Sequence, residues 1–154
     1  MNPSPVAVVR QVMPARPEQV YDEWLDPDAL AEWMCPRPAF AIAVTVEPRV
    51  DGVLRIDIDD LGTLMTVSGR YLELRRPNLL RFTWHCTTWP PGLAESIVTV
   101  TFEPHGTSDT VMTIRHELLA PDLVDRHYQG WLVIAAQHES VLRRRSGAPP
   151  RPPQ

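Results

Sequence analysis

Apolar and polar residues recur along this chain with two different periods, and the places where one gives way to the other mark out its elements. Val6-Ala7-Val8-Val9-Arg10-Gln11-Val12-Met13 is rich in β-branched residues and stops at Pro14, which predicts a strand. Pro17 stands where a helix begins, Glu18 suits its first turn, and Val20, Tyr21, Trp24 and Leu25 recur at helical spacing. A second short helix starts at Asp26-Pro27-Asp28, with Asp26 as N-cap and Pro27 as its first residue. Leu30, Trp33 and Met34 form its apolar face, and Pro36 and Pro38 end it.

From about residue 39 to 118 the period is two. Phe40, Ile42, Val44 and Val46 alternate up to Pro48, and the turn Arg49-Val50-Asp51-Gly52 leads into Leu54, Ile56 and Ile58. After Asp60-Leu61-Gly62, residues 64–74 predict a longer strand, ended by Arg76-Pro77-Asn78. Leu80, Phe82, Trp84 and Cys86 then face one way, and Arg81, Thr83 and His85 the other. Beyond the Trp89-Pro90-Pro91-Gly92 loop, Val98, Val100 and Phe102 alternate with threonines. The turn Pro104-His105-Gly106 precedes a last strand in which Met112, Ile114 and His116 share a face. Short connections between neighbours predict an antiparallel meander with one covered and one wet face.

The covering element comes last. Pro121-Asp122 opens a helix that can reach Arg145, about 34 Å at ~1.5 Å per residue. At ~100° per residue, His127, Gly130, Trp131, Ile134, His138, Val141 and Leu142 fall on one stripe, while Gln129, Gln137, Glu139 and Arg143 lie off it. Arg143-Arg144-Arg145 complement the macrodipole at its end. The stretch from Ser146 to Gln154 is rich in proline and glycine and is expected to be a disordered tail behind a single domain over residues 1–145.

Composition narrows the function. At 154 residues the chain has the length of one domain. Its net charge of −4 argues against nucleic acid or an anionic membrane as partner. No apolar run approaches the ~18 residues of a membrane span. Met1-Asn2-Pro3-Ser4-Pro5 lacks the basic and apolar regions of a secretory signal, so a cytoplasmic location is expected. All 15 basic residues are arginine, which leaves no lysine for Schiff-base or P-loop chemistry. Cys35 and Cys86 form no C-x-x-C pattern and are expected to be free thiols.

Several short motifs, in order, point to a family. Pro17-Glu18-Gln19-Val20-Tyr21-Asp22-Glu23-Trp24, then Asp26-Pro27 and Trp33, are followed by Gly69-Arg70-Tyr71-Leu72-Glu73 and Leu80-Arg81-Phe82-Thr83-Trp84. Val100-Thr101-Phe102-Glu103-Pro104 and His127-Tyr128-Gln129-Gly130-Trp131 complete the set. This series resembles the family named for activators of the heat-shock protein 90 ATPase, within the START-like (SRPBCC) superfamily. The resemblance implies an α+β helix-grip fold: a curved antiparallel sheet of about seven strands around a long C-terminal helix, with two short helices after the first strand. Three functions come with it: binding of a small hydrophobic molecule, a cyclase or aromatase-type enzyme, and a chaperone-regulating module. The first is favoured, because a helix laid over a curved sheet leaves space between them. The chain departs from the family at Met34 and Cys35, at Val50-Asp51-Gly52 and at His138, where relatives tend to carry other residues, so a relative's ligand does not transfer.

Catalytic signatures are sparse. G-x-S-x-G, G-x-x-x-x-G-K-[ST] and G-x-G-x-x-G are all missing. His116-Glu117-Leu118-Leu119-Ala120 begins like a zinc-protease motif but ends in alanine and lies at a strand end. Asp57, Asp59 and Asp60 read as a solvated edge. His127 and His138 stand about 16 Å apart along the helix, too far for one metal. No cofactor or metal site is expected, and catalysis is not the favoured reading. The chain is expected as a monomer or homodimer. The candidate cavity wall takes its strand residues from the period-two faces and its helix residues from the stripe. It comprises Trp33, Met34, Met65, Trp84, Cys86, Met112, His116, Trp131, Ile134 and His138. His116 and His138 would be its polar anchors, and Gly130 would let the helix backbone approach the sheet closely.

Overall fold

The computed structural model describes residues 6–147. Strand β1 (Val6–Met13) leads into α1 (Pro17–Glu23) and α2 (Pro27–Trp33). Asp26 caps α2 as its sequence requires, accepting from the Asp28 amide at 2.9 Å, with Pro27 in the first turn. Six strands follow: β2 (Phe40–Val46), β3 (Val53–Asp60), β4 (Thr63–Arg75), β5 (Leu79–Cys86), β6 (Ser96–His105) and β7 (Asp109–Glu117). A 3-10 turn at Pro121–Leu123 then opens α3 (Val124–Ser146), which ends on Gly147 in the left-handed conformation. The helix thus takes in Ser146, the first residue of the expected tail, and residues 148–154 lie outside the described residues.

All seven strands join one sheet in the order β1-β7-β6-β5-β4-β3-β2, every pair antiparallel. Because β1 returns to pair with β7, the two short helices must cross the sheet's inner side between β1 and β2. The expected helix-grip fold is therefore the one found. Its inner face is the period-two face of each strand: Leu54, Ile56 and Ile58 on β3, Phe82 and Trp84 on β5, and Val98, Val100 and Phe102 on β6 are all buried. Trp24, Trp33 and Trp131 pack into the same core, with Trp24 and Trp33 edge to face at 5.0 Å.

Two departures from strict alternation shape the sheet. On β2, Phe40 and Ile42 continue the apolar alternation of Val44 and Val46, yet each is 56% exposed. A register shift between Ala41 and Ala43 turns the strand, so that Ala41, Val44 and Val46 pack against the core instead. On β5, Thr83 faces outward and is nonetheless buried, donating to Glu95 at 2.7 Å and accepting from the Arg70 amide at 2.9 Å.

Thr83 also explains a glycine. A Cβ built on Gly69 of β4 would lie 1.8 Å from the Thr83 carbonyl oxygen, a backbone atom that cannot give way. Gly69→Ala is therefore expected to part β4 from β5 and to destabilise the protein by at least the ~1–3 kcal/mol typical of overpacking. A urea-denaturation midpoint unchanged by this substitution would contradict the close strand approach.

Candidate functional site

The first half of α3 does not lie flat on the sheet. Beneath it, Met65 pairs across the ladder with Ile58, and Val67 is flanked by Ile56 and Cys86, so these side chains form a continuous apolar floor. Trp84 extends that floor along β5. From above come His127, Gly130, Trp131 and Ile134 of α3. Met34, Pro36 and Ala39 contribute from the end of α2 and the segment after it, and Thr88, Trp89 and Leu123 from the loops. Together these residues line a half-open cavity of about 240 Å³. Asp60, half-buried, and Arg126, exposed, mark its solvent-facing side.

Of the residues expected in the wall, Met34, Met65, Trp84, Cys86, Trp131 and Ile134 lie on it. Trp33, Met112, His116 and His138 do not. Met112 belongs to the core beside β6, paired with Phe102. Trp33 and His138 stack face to face at 3.8 Å where α1, α2 and α3 meet, away from the cavity. Gly130 also differs from expectation: nothing stands within 4 Å of a Cβ built there. It borders empty space rather than a neighbouring backbone. Asp60, read from sequence as part of a solvated edge, lines the cavity too.

His116 is fully buried, and both of its ring nitrogens are engaged. Trp131 Nε1 donates to Nδ1 at 3.0 Å, which fixes the proton on Nε2. Nε2 then donates to Ser96 Oγ at 2.7 Å, and Ser96 donates to the Trp84 carbonyl at 2.9 Å. Every donor in this chain meets an acceptor, and only the neutral imidazole permits it. Burial, with a smaller push from His127, lowers the His116 pKa to about 3.

His138 is held differently. Its Nε2 lies 3.4 Å from Glu23 Oε1 without hydrogen-bond geometry, and burial depresses its pKa despite that carboxylate. Burial opposes the charge on Glu23, yet His138 and Arg145 keep its pKa low, and the Trp33 indole donates to the same carboxylate at 3.2 Å. Arg145 also reaches Glu32 and so locks the end of α3 onto α1 and α2. This arginine was expected only to complement the helix macrodipole. Glu139, expected off the buried stripe, is 6% exposed, accepting from Gln11 of β1 at 2.8 Å and from Arg143.

His127 was considered at the sequence level only as a metal ligand, and it is the polar side chain of the wall that lies on α3's own stripe. Its Nδ1 sits 2.9 Å from the Leu123 carbonyl one turn earlier, and its ring packs edge-on against Trp89 and His116. The signal for it was present in the 100° stripe. Trp84 Nε1, also in the wall, is buried without an acceptor among the described residues. Cys86 contacts Thr88 Oγ1 at 3.1 Å, and both cysteines are free. Among the described residues no group of three or more His, Cys, Asp or Glu side chains is arranged to hold a metal, and no helix is long and apolar enough to cross a membrane.

The family described as Activator of Hsp90 ATPase homolog 1-like protein matches residues 14–142. Protein CV1439 from Chromobacterium violaceum, solved by crystallography, superposes with a TM-score of 0.81 at 27% identity, covering 90% of this chain and 96% of that one. Protein NE0264 from Nitrosomonas europaea superposes at 0.80 with 18% identity over 96% of this chain and 99% of its own. A protein from Arthrobacter aurescens, solved in solution, gives 0.79 at 22% identity over 92% and 87%. No curated protein matches the sequence.

The neutral His116 chain has a consequence for stability. The unfolded chain binds a proton at this histidine below about pH 6.5, while the folded one resists it down to about pH 3. Stability therefore falls as pH drops through that window, by roughly 5 kcal/mol if this group acts alone at ~1.4 kcal/mol per unit. His127 and His138, whose pKa values burial also lowers, add in the same direction. Urea midpoints measured from pH 7 to pH 4 should decline steadily; a flat profile would contradict the buried neutral histidines.

Proposed function

The chain belongs to the family of Activator of Hsp90 ATPase homolog 1-like proteins, and within it we propose that this protein binds a small, mainly apolar molecule between α3 and the sheet. The observation that carries the reading is a preformed cavity of about 240 Å³ walled by Met34, Met65, Trp84, Trp131 and Ile134. A dry cavity of ~150 Å³ already takes up benzene, so this one has room for a ligand of one or two rings. It falls just below the ~300–1,000 Å³ of drug-sized sites, which favours a compact ligand. Two methionines in the wall can adjust to ligand shape. The driving force is removal of apolar surface from water, at roughly 25 cal/mol per Å² before the cost of association.

Gly130 supplies the test. A Cβ here meets nothing within 4 Å at the cavity wall, so a larger side chain is expected to extend into the cavity. Gly130→Leu should abolish uptake of ethylbenzene, followed through the emission of Trp84, Trp89 and Trp131, which all line the site. The same variant should melt no lower than the parent, because replacing a helical glycine is worth about 0.5–1 kcal/mol. Absence of saturable binding by the parent protein, or undiminished binding by Gly130→Leu, would overturn the proposal.

A further inference from the structure

The cavity wall is mainly apolar, and a ring nitrogen on it that has no partner among the described residues sets the chemistry of the ligand. His127 lines the cavity. Its Nδ1 faces the Leu123 carbonyl at 2.9 Å, and a carbonyl can only accept. The proton of the neutral ring is therefore on Nδ1, and Nε2 presents a lone pair with no donor to it among the described residues. Trp84 Nε1 has no acceptor among the described residues either, but it is fully buried and closed to the cavity. Both rings flank His116, at centroid distances of 5.0 Å for His127 and 5.8 Å for Trp84. His116 itself offers nothing, since both its nitrogens are already bonded.

The other polar groups of the wall are weaker readers. Thr88 Oγ1 is in contact with Cys86 Sγ. Arg126 is exposed, so its charge is screened by solvent. A carboxylate ligand would set its lone pairs against that of Nε2, and relieving the clash means protonating a histidine whose pKa burial already lowers. An ammonium ligand would lose its hydration in the apolar part of the cavity, and the one carboxylate of the wall, Asp60, stands at its solvent-facing side. A hydroxyl is uncharged, donates one hydrogen bond and accepts others.

Resting on the proposed small-molecule cavity, we propose that its ligand is a neutral hydroxyl compound of one or two rings, a phenol or cyclic alcohol. The hydroxyl donates to His127 Nε2. His127 is thus the residue that sets specificity, while the methionines and Ile134 hold the hydrocarbon.

The test compares 4-ethylphenol with ethylbenzene, which differ by one hydroxyl, binding to the full chain at pH 7.5. A net gain of one neutral hydrogen bond corresponds to roughly three- to tenfold tighter binding of the phenol. In His127→Phe that preference should vanish while ethylbenzene still binds, and His127→Gln, which keeps an acceptor, should restore part of it. The imidazole 15N signals of the unmodified protein give a reading that needs no variant: the Nε2 resonance should shift with 4-ethylphenol and not with ethylbenzene. Equal affinity for the two compounds, a preference that survives in His127→Phe, or an unmoved Nε2 signal would each overturn the inference while leaving the cavity reading intact. Failure of both compounds to bind would remove the cavity reading and this inference with it.

Discussion

The hydrogen-bonded chain from the Trp131 indole through His116 and Ser96 to the Trp84 carbonyl joins α3 to β7, β6 and β5. It is polar, directional and of fixed length, so it holds the helix at a set height above the sheet rather than letting it collapse by apolar contact alone. On one side of this tether the gap is filled. Trp24 meets Trp33, Trp131 and Phe82, and His138 stacks on Trp33. On the other side Gly130 contributes no side chain, and the space over Ile58, Met65 and Val67 remains open. The cavity thus follows from one rigid polar strut with packing on only one flank. Leaving it empty forgoes dispersion contacts that a filled core would make, a cost an apolar guest can return.

Charge plays a supporting part at the far end of α3. Glu23, near the end of α1, gathers the Trp33 indole, His138 and Arg145 around one carboxylate. With Arg145 bridging on to Glu32, the C-terminal turn of α3 is clamped to both short helices. Gln137 adds donations to the Trp33 and Cys35 carbonyls, at 3.1 and 2.8 Å. These contacts fix the half of the helix that the aromatic cluster buries, leaving the half over the cavity bounded by loops.

The elements were legible because each is written in its own period: two for the strands, 3.6 for α3, with Asp26 and Pro27 marking the start of α2. The bulge in β2 was not, because Phe40-Ala41-Ile42-Ala43 alternates well enough to read as a regular strand; only its pairing with β3 shows the slipped residue. For the wall, period-two faces found Met65, Trp84 and Cys86, whereas they also selected Met112, which packs in the core against Phe102, and His116, which lies under Trp131 with both nitrogens bonded. A face says which side of the sheet a residue occupies, not which part of the covering layer stands over it. The histidines illustrate this. His116 and His138 looked like anchors because they interrupt apolar stripes, yet one is bonded at both nitrogens and the other stacks on Trp33. His127 came into view only once the Leu123 carbonyl fixed its tautomer. Glu139 escaped helical-stripe reasoning because its burial depends on Gln11, a residue of the distant first strand.

Structural likeness to CV1439 and NE0264 extends over nearly the whole chain and concerns the frame. That likeness carries the fold alone, and what is proposed beyond it is that the space between α3 and the sheet takes an apolar guest. Crystals soaked with bromobenzene and measured at the bromine absorption edge test it most directly. The account predicts an anomalous peak between Met34, Met65, Trp84 and Ile134, beneath Gly130. A difference map with no peak there, or with bromine only at the protein surface, would contradict it.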